Sequence, residues 1–170
     1  MSGTTTNNAW TYPTSTDYVK DGATAIQTLA TGIDTSTGKG LIAWQSYAPT
    51  LSGGWLNGNG VYNEAVYCQI GKTVHLSVRF TVGSTTTKGS GLQISLPVAA
   101  AATYSFGTVR TGVGGTTNFG PLVAYNASTA TAYSLLTSTS YAQQATITST
   151  VPGTWATGDA FTLFITYQAA

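Results

Sequence analysis

The sequence predicts an all-β protein: an antiparallel β-sandwich or jelly roll, preceded by an extended N-terminal arm and one short helix. Three observations predict this fold. Apolar and polar residues alternate over several short segments, turn-forming residues separate these segments, and only one segment has helical spacing. The chain has 170 residues, which is the length of one domain and enough to bury a core.

The first 18 residues are polar, and Trp10 and Tyr12 stand out among them as large apolar groups. Tyr12 precedes Pro13, and a residue before proline avoids the helical region of the backbone. We therefore expect residues 1–18 to form an extended arm.

Residues 19–35 have the spacing of a helix. Val19, Ile26 and Ile33 are seven residues apart, and Leu29 follows Ile26 by three, so their side chains form one apolar stripe. A helix of about twelve residues is marginal alone in water, so this stripe needs a partner. The partner is either the core of the same domain or the same helix from two other chains, in a trimer. We assign residues 19–40 to this helix and a linker.

From Leu41 to the C-terminus the apolar period changes to two. The clearest segment is 73–82, in which every second residue from Val74 to Val82 is apolar. Residues 161–167 alternate in the same way, and their opposite face carries Phe164. Further strands are expected near 42–48, 66–70, 92–96, 104–111, 120–126, 131–137 and 145–151. Residues 41–170 thus form the predicted β-sandwich.

Turn residues divide these strands. Asn57-Gly58 and Asn59-Gly60 tolerate left-handed backbone, and residues 83–91 form a glycine-containing loop. Further breaks are expected at residues 112–115, at Gly120-Pro121 and at Pro152-Gly153.

Charged residues are rare. They make up 6% of the chain, against about 25% in an average soluble protein, whereas Thr, Ser and Gly together make up 40%. A net charge of +1 without a basic cluster argues against nucleic acid and anionic membrane as partners. Lys and Glu usually protect exposed strand edges, and here they are scarce. We therefore expect much of the sheet surface to be covered by identical copies.

The residue types needed for catalysis are also scarce. A glycosidase needs two carboxyl groups at a defined separation, and the candidates outside the N-terminal segment are Glu64 and Asp159. His75 is the only histidine and is expected on the non-core face of its strand. Cys68 is the only cysteine, so it has no partner for an internal disulfide, and with one histidine a zinc site lacks ligands. We expect no enzyme activity and no cofactor.

One stretch resembles a known class of proteins. Residues 67–91, YCQIGKTVHLSVRFTVGSTTTKGSG, followed by ISLPVA at 94–99, resemble a module in tail-fibre, minor tail and head-fibre proteins of tailed bacteriophages, especially those of actinobacteria. The preceding AWQSYAPT at 43–50 resembles the start of that module. The N-terminal YPTSTD at 12–17, DGAT at 21–24 and IQTLA at 26–30 resemble a segment that precedes such modules.

The resemblance implies a homotrimeric virion protein, located in the virion after assembly in the host cytoplasm. An N-terminal part carrying Trp10 and Tyr12 would dock to other capsid or tail proteins. The helix, through Val19, Ile26, Leu29 and Ile33, would join three copies. The last strand is similar to that of trimeric jelly rolls of the tumour-necrosis-factor type, which places Phe164 between subunits.

Within this interpretation, two positions remain open. A tail fibre or receptor-binding protein would contact host surface glycan, whereas a head fibre or capsid decoration protein would sit on the shell. Two other functions compete with it. A monomeric carbohydrate-binding module would present exposed aromatic residues to sugars, and a small glycan depolymerase would depend on Glu64 or Asp159.

Overall fold

The computed structural model describes residues 3–5, 10–14, 18–40, 43–101, 105–124, 128–137 and 142–170. The chain folds as two compact units, Met1–Ala43 and Trp44–Ala170.

The described residues of the N-terminal unit form two short strands, a 3₁₀ turn and one α-helix. Strands β1 (Gly3–Thr4) and β2 (Thr11–Tyr12) pair antiparallel, so the arm doubles back on itself. A 3₁₀ turn at Val19–Asp21 leads into helix α1 (Gly22–Gly40). The helix therefore runs five residues beyond the predicted end at residue 35.

Helix α1 lies against the ribbon of β1 and β2. Gly32 faces Trp10, and a Cβ atom at this glycine would lie 3.3 Å from Cδ1 of the indole ring. Glycine inside a helix costs about 1 kcal/mol relative to alanine. At this position the missing side chain makes room for Trp10, which explains why the helix carries a glycine here.

The second unit is an antiparallel β-structure, which confirms the predicted fold class. Its strands pair in the order β3-β5-β6-β12-β8-β9-β10-β7-β4, and β11 pairs with β10. All of these pairs are antiparallel. The strand bounds are β3 Gln45–Ser46, β4 Leu51–Ser52, β5 Val61–Ile70, β6 Thr73–Thr81, β7 Gln93–Ser95, β8 Ser105–Val113, β9 Thr116–Ala124, β10 Thr129–Thr137, β11 Ala142–Thr146 and β12 Ala160–Gln168.

The topology requires this sheet to curl. Strands β3 and β4 stand at opposite ends of the order, although only residues 47–50 separate them in the chain. The five Cα–Cα steps from Ser46 to Leu51 span at most about 17 Å. Nine strands in a flat sheet would span about 38 Å at their usual spacing. The two ends therefore approach each other, and the sheet wraps around its own core as a sandwich.

The core occupies the inner side of the curled sheet. Strand β6 contributes every second residue from Val74 to Phe80, and β12 contributes every second residue from Phe161 to Tyr167, all of them buried. The two strands pair in register, with Phe161 opposite Phe80. The period of two in the sequence thus predicts the correct core-facing residues of both strands.

Aromatic rings continue this core. Phe161 stacks on Phe80 with ring centroids 5.1 Å apart, and Trp55 meets Trp155 edge to face at 5.4 Å. The Trp155 Nε1–H donates to the carbonyl of Thr148 at 3.0 Å. Aromatic pairs in these geometries contribute about 0.5–1.5 kcal/mol beyond the area they bury.

The loop of residues 83–91 is fixed against residues 53–60. Asn59 Oδ1 accepts hydrogen bonds from the backbone N–H and the hydroxyl of Thr85, at 2.8 and 2.9 Å. Gly53 has a φ of 71°, and a Cβ atom there would collide with the carbonyl oxygen of Gly91. Glycine is required at Gly53 for both its backbone conformation and this close approach.

The predicted break at Gly120-Pro121 is wrong, because β9 continues through both residues. Ladder pairing of β9 with β10 covers residues 122–124, so the proline nitrogen lies beyond the positions paired on that side. A Cβ atom on Gly120 would collide with the carbonyl oxygen of Tyr133, so the glycine permits a close backbone approach. Gly120 and Pro121 therefore lie inside β9 and do not end the strand.

Candidate functional site

Helix α1 and the 3₁₀ turn before it, which contains Val19, expose most of the apolar stripe that the sequence identifies. Val19, Ile26 and Ile33 are 98%, 61% and 40% exposed, whereas Leu29 is half-buried. Among the described residues of the N-terminal unit, Val19 and Ile26 are thus mostly exposed. The trimerising role of these four residues stays a prediction, and the exposed stripe is the surface on which it depends.

The two aromatic residues expected to dock make contacts inside the N-terminal unit. Trp10 N–H donates to Thr5 Oγ1 at 3.0 Å, and its ring lies against Gly32. Tyr12 places its ring over Gly3 and is 39% exposed. Both side chains shape the ribbon, and their docking role stays a prediction.

The second unit has a distinct outer face, which we define as the side of β5, β6, β12, β8 and β9 that points away from the core. Cross-strand partners share a face, so the register gives its rows directly. The middle row follows the pairs of Val66 with Ser77, Ser77 with Phe164, and Phe164 with Thr108. Thr108 in turn pairs with Pro121 on β9.

Three phenylalanines stand on this outer face. Phe106, Phe119 and Phe164 are 68%, 59% and 46% exposed. Phe164 pairs with Thr108, which places Phe106 diagonally across from it, at a Cα separation of about 7–8 Å. The sequence pointed only to Phe164. Once the register is known, both other phenylalanines can be assigned to the outer face. Phe106 alternates with the core residue Val109 along β8, and Phe119 is the cross-strand partner of Arg110.

The charged residues of the outer face lie in one row. Glu64 on β5 is opposite Arg79 on β6, Arg79 is opposite Thr162 on β12, and Thr162 is opposite Arg110 on β8. Arg110 in turn pairs with Phe119 and directs its Nη2–H toward Thr117 Oγ1 at 3.4 Å. The row therefore carries both signs of charge.

Cys68 and His75 are neighbours on the same outer face. They are direct partners in the pairing of β5 with β6, and His75 Nδ1 is hydrogen-bonded to Thr166 Oγ1 at 2.9 Å. The non-core position of His75 agrees with the sequence prediction. Cys68 is only 6% exposed although it lies outside the core cluster. Its thiol is enclosed, so the pair offers no accessible nucleophile.

The two candidate carboxylates are not brought together. Asp159 precedes β12, where its carbonyl accepts from Val82 N–H, and Glu64 lies two strands away and three residues along. Ordinary strand dimensions put their backbones about 14 Å apart. Asp159 also has a structural role, because its two carboxylate oxygens accept from the N–H groups of Gly114 at 3.1 Å and Ala156 at 2.7 Å.

One open cleft lies at the end of β6 and β12. It has a volume of about 410 Å³ and is lined by Lys72, Thr73, Thr166, Tyr167 and Gln168. Its ammonium, hydroxyl and amide groups are of the kinds that hydrogen-bond to sugar hydroxyls. The open shape of the cleft suits a weak surface contact better than an enclosed reaction.

Three tyrosines, Tyr47, Tyr62 and Tyr167, pack at different places against the core. Burial raises the pKa of Tyr62 to about 12, and burial also raises the pKa of Tyr167 to about 12, although a hydrogen bond that the Val98 N–H donates to the Tyr167 hydroxyl acts in the opposite sense. Burial, with added repulsion from Tyr62 and Tyr167, raises the pKa of Tyr47 further. These hydroxyls stay protonated at neutral pH, so they pack as neutral core groups.

Within the described residues, no three His, Cys, Asp or Glu side chains are grouped to hold a metal ion. The described part of the chain also contains no helix with the length and apolar character needed to span a membrane. A scan against protein-family models finds no match for the chain, and searches of curated proteins and of solved structures find none either.

Proposed function

We propose that the chain is a bacteriophage virion structural protein, a homotrimeric fibre or decoration protein that projects from the tail or capsid. Residues 1–18 dock to other virion proteins, residues 19–40 join three copies, and residues 41–170 form the projecting head. The resemblance of residues 67–91 to tail-fibre and head-fibre proteins supports the virion assignment.

The observation that carries the proposal is the exposed helix stripe. Ile26 and Ile33 are 61% and 40% exposed, while the β unit buries its own core. Exposed apolar residues at a spacing of seven are typical of the seam between helices, where each side chain packs into a partner helix. Three copies of α1 give every stripe the same partner.

The low charge supports the same proposal. Eleven charged residues in 170 leave large neutral surfaces, which resemble permanent subunit interfaces more than the surface of a free monomer. A structural role also fits the position of Asp159, whose carboxylate holds two backbone N–H groups rather than facing Glu64.

A glycan contact is compatible with this role. The cleft at Lys72 and Gln168 supplies polar groups, and three linked copies would raise the effective concentration of weak sites without new contacts. The same cleft favours the second candidate, a monomeric carbohydrate-binding module. The two candidates differ in mass, because the module acts as a single copy.

The test is the double variant Ile26→Ser/Ile33→Ser in the full chain, with Gln27→Ser as the matched control at an exposed position. We expect wild type and control to have a mass near three times 17.5 kDa in light scattering. We expect the double variant to dissociate at concentrations at which the wild type stays assembled. Equal masses for all three proteins would contradict the role of the helix, and a monomeric wild type would favour the binding module.

A second experiment locates the chain. An image reconstruction of particles that contain this protein should show density for three clustered copies on the capsid or tail. Purified particles that lack the chain would refute the virion assignment.

A further inference from the structure

The outer face differs in amino-acid composition from the rest of the chain. The chain has five phenylalanines: Phe80 and Phe161 are in the core, and the other three all lie on the outer face. Both arginines, Arg79 and Arg110, lie there too, while the four lysines fall outside its five strands. Enrichment in aromatic residues and arginine with depletion of lysine is the composition of protein–protein interfaces.

The exposed phenylalanine area is large enough to matter. A phenylalanine side chain buries roughly 200 Å² when fully covered, so the exposed fractions of Phe106, Phe119 and Phe164 amount to about 350 Å². A stable complex buries about 800 Å² on each partner. Three side chains thus provide nearly half of the area that one partner needs, within a single face.

The charges indicate which partner covers this face. Glu64 and Arg110 lie in the same row, three strands apart. If a partner carried only positive or only negative charges opposite this row, either Arg110 or Glu64 would face a charge of the same sign. A second copy carries the same row, so its Arg110 can oppose Glu64 of the first copy.

We infer that the outer face of the β unit is a subunit interface, and that its occupant is a second copy of this chain. The inference rests on the proposed homotrimer and adds a second contact to it, separate from the helix. Phe106 and Phe164 form the apolar centre of this contact. Arg110 and Glu64 set the register between the copies.

The experiment uses the full chain and the double variant Phe106→Ser/Phe164→Ser. The matched control is Leu56→Ser, because Leu56 is 62% exposed and lies in a loop outside the five strands. Sedimentation over a dilution series measures assembly. We expect the double variant to raise the apparent dissociation constant at least tenfold and the control to leave it within twofold. Circular dichroism should show unchanged strand content in both.

Hydroxyl-radical footprinting of the wild type gives an independent measurement that needs no substitution. We expect Phe106 and Phe164 to become several-fold less reactive on assembly, while Leu56 stays reactive. A wild-type trimer with both phenylalanines fully reactive, and a double variant that assembles like the wild type, would overturn this inference and leave the helix-based trimer intact. A wild type that is monomeric throughout would overturn both.

Discussion

The two faces of strands β6, β12 and β8 differ in how deeply the chain buries their side chains. The inner face holds Phe80, Phe161 and Val109, each at most 1% exposed and covered by other parts of the same unit. The outer face holds Phe106 and Phe164, which are 68% and 46% exposed, although Cys68 and Val123 on the same face are buried. The same alternation produces both faces, so the difference comes from what packs on them. The described residues of the unit cover its inner face and leave this part of its outer face exposed.

The N-terminal unit also combines packed and exposed apolar side chains. Trp10 packs within it against Gly32, whereas Ile26 and Ile33 on the same helix stay exposed. Apolar residues therefore stay exposed in both units, in the part of the chain that the structure describes. The proposed assembly of identical copies would cover both sets.

The largest loss of stability should come from a substitution on the inner face. Phe161→Ala removes a ring that contacts Phe80, Trp55 and Trp155, and it leaves a cavity in the core. We expect the free energy of unfolding to fall by about 3–5 kcal/mol. The control is Phe164→Ala on the same strand, which should change it by about 0.5 kcal/mol at concentrations at which single copies prevail. Urea titrations measure both, and equal losses would remove the distinction between the faces.

A smaller effect should separate two glycines in left-handed backbone. Gly53 and Gly71 have φ values of 71° and 57°, but only Gly53 has a carbonyl oxygen where a Cβ atom would stand. We expect Gly71→Ala to cost about 1 kcal/mol, from the backbone alone. Gly53→Ala should cost about 3 kcal/mol, because the loop must also move. Similar losses for both would show that residues 83–91 are not held against residues 53–54.

Asp159→Asn should have a moderate effect. The substitution weakens one of the two charge-assisted hydrogen bonds, to Gly114 or to Ala156, so we expect a loss of about 1–2 kcal/mol in unfolding free energy. Glu64→Gln, at an exposed position, should stay within about 0.5 kcal/mol. Glycan cleavage by the wild type that disappears in either variant would instead support the depolymerase.

The smallest effect at neutral pH concerns the buried tyrosines. An unperturbed tyrosine has a pKa near 10, whereas Tyr62 and Tyr167 have pKa values of about 12. Their contribution to stability is therefore complete below pH 10 and is lost as the pH rises from 10 to 12. Ultraviolet titration of the folded protein should show a group of tyrosines ionising only near pH 12 or above. Ionisation of all ten tyrosines near pH 10 would contradict their burial.

The sequence predicts most of the β-structure because alternation is a local signal. The strand at 73–82 and the strand at 161–167 lie within one or two residues of β6 and β12. The helix end was missed because Gly38 normally marks a terminus, whereas α1 continues to Gly40. Gly120-Pro121 was misread because the chain approaches these residues from a distant strand, which no local pattern reveals.

The outer face could be predicted only in part. Phe164 was found because its strand alternates clearly, but Phe106 and Phe119 lie in strands with weaker patterns. Their common face depends on the pairing of β12 with β8 and of β8 with β9. Strands β8 and β9 form a hairpin, but the pairing of β8 with β12 joins segments that are far apart in the chain, so no local pattern in the sequence reveals the complete register.

The central claim is that identical copies of this chain cover each other's exposed apolar surfaces. Sedimentation equilibrium of the full wild-type chain across the micromolar range tests it most directly. The account predicts a species near three times 17.5 kDa that dissociates when either the helix stripe or the outer face is changed. A single copy of 17.5 kDa at every concentration would contradict it.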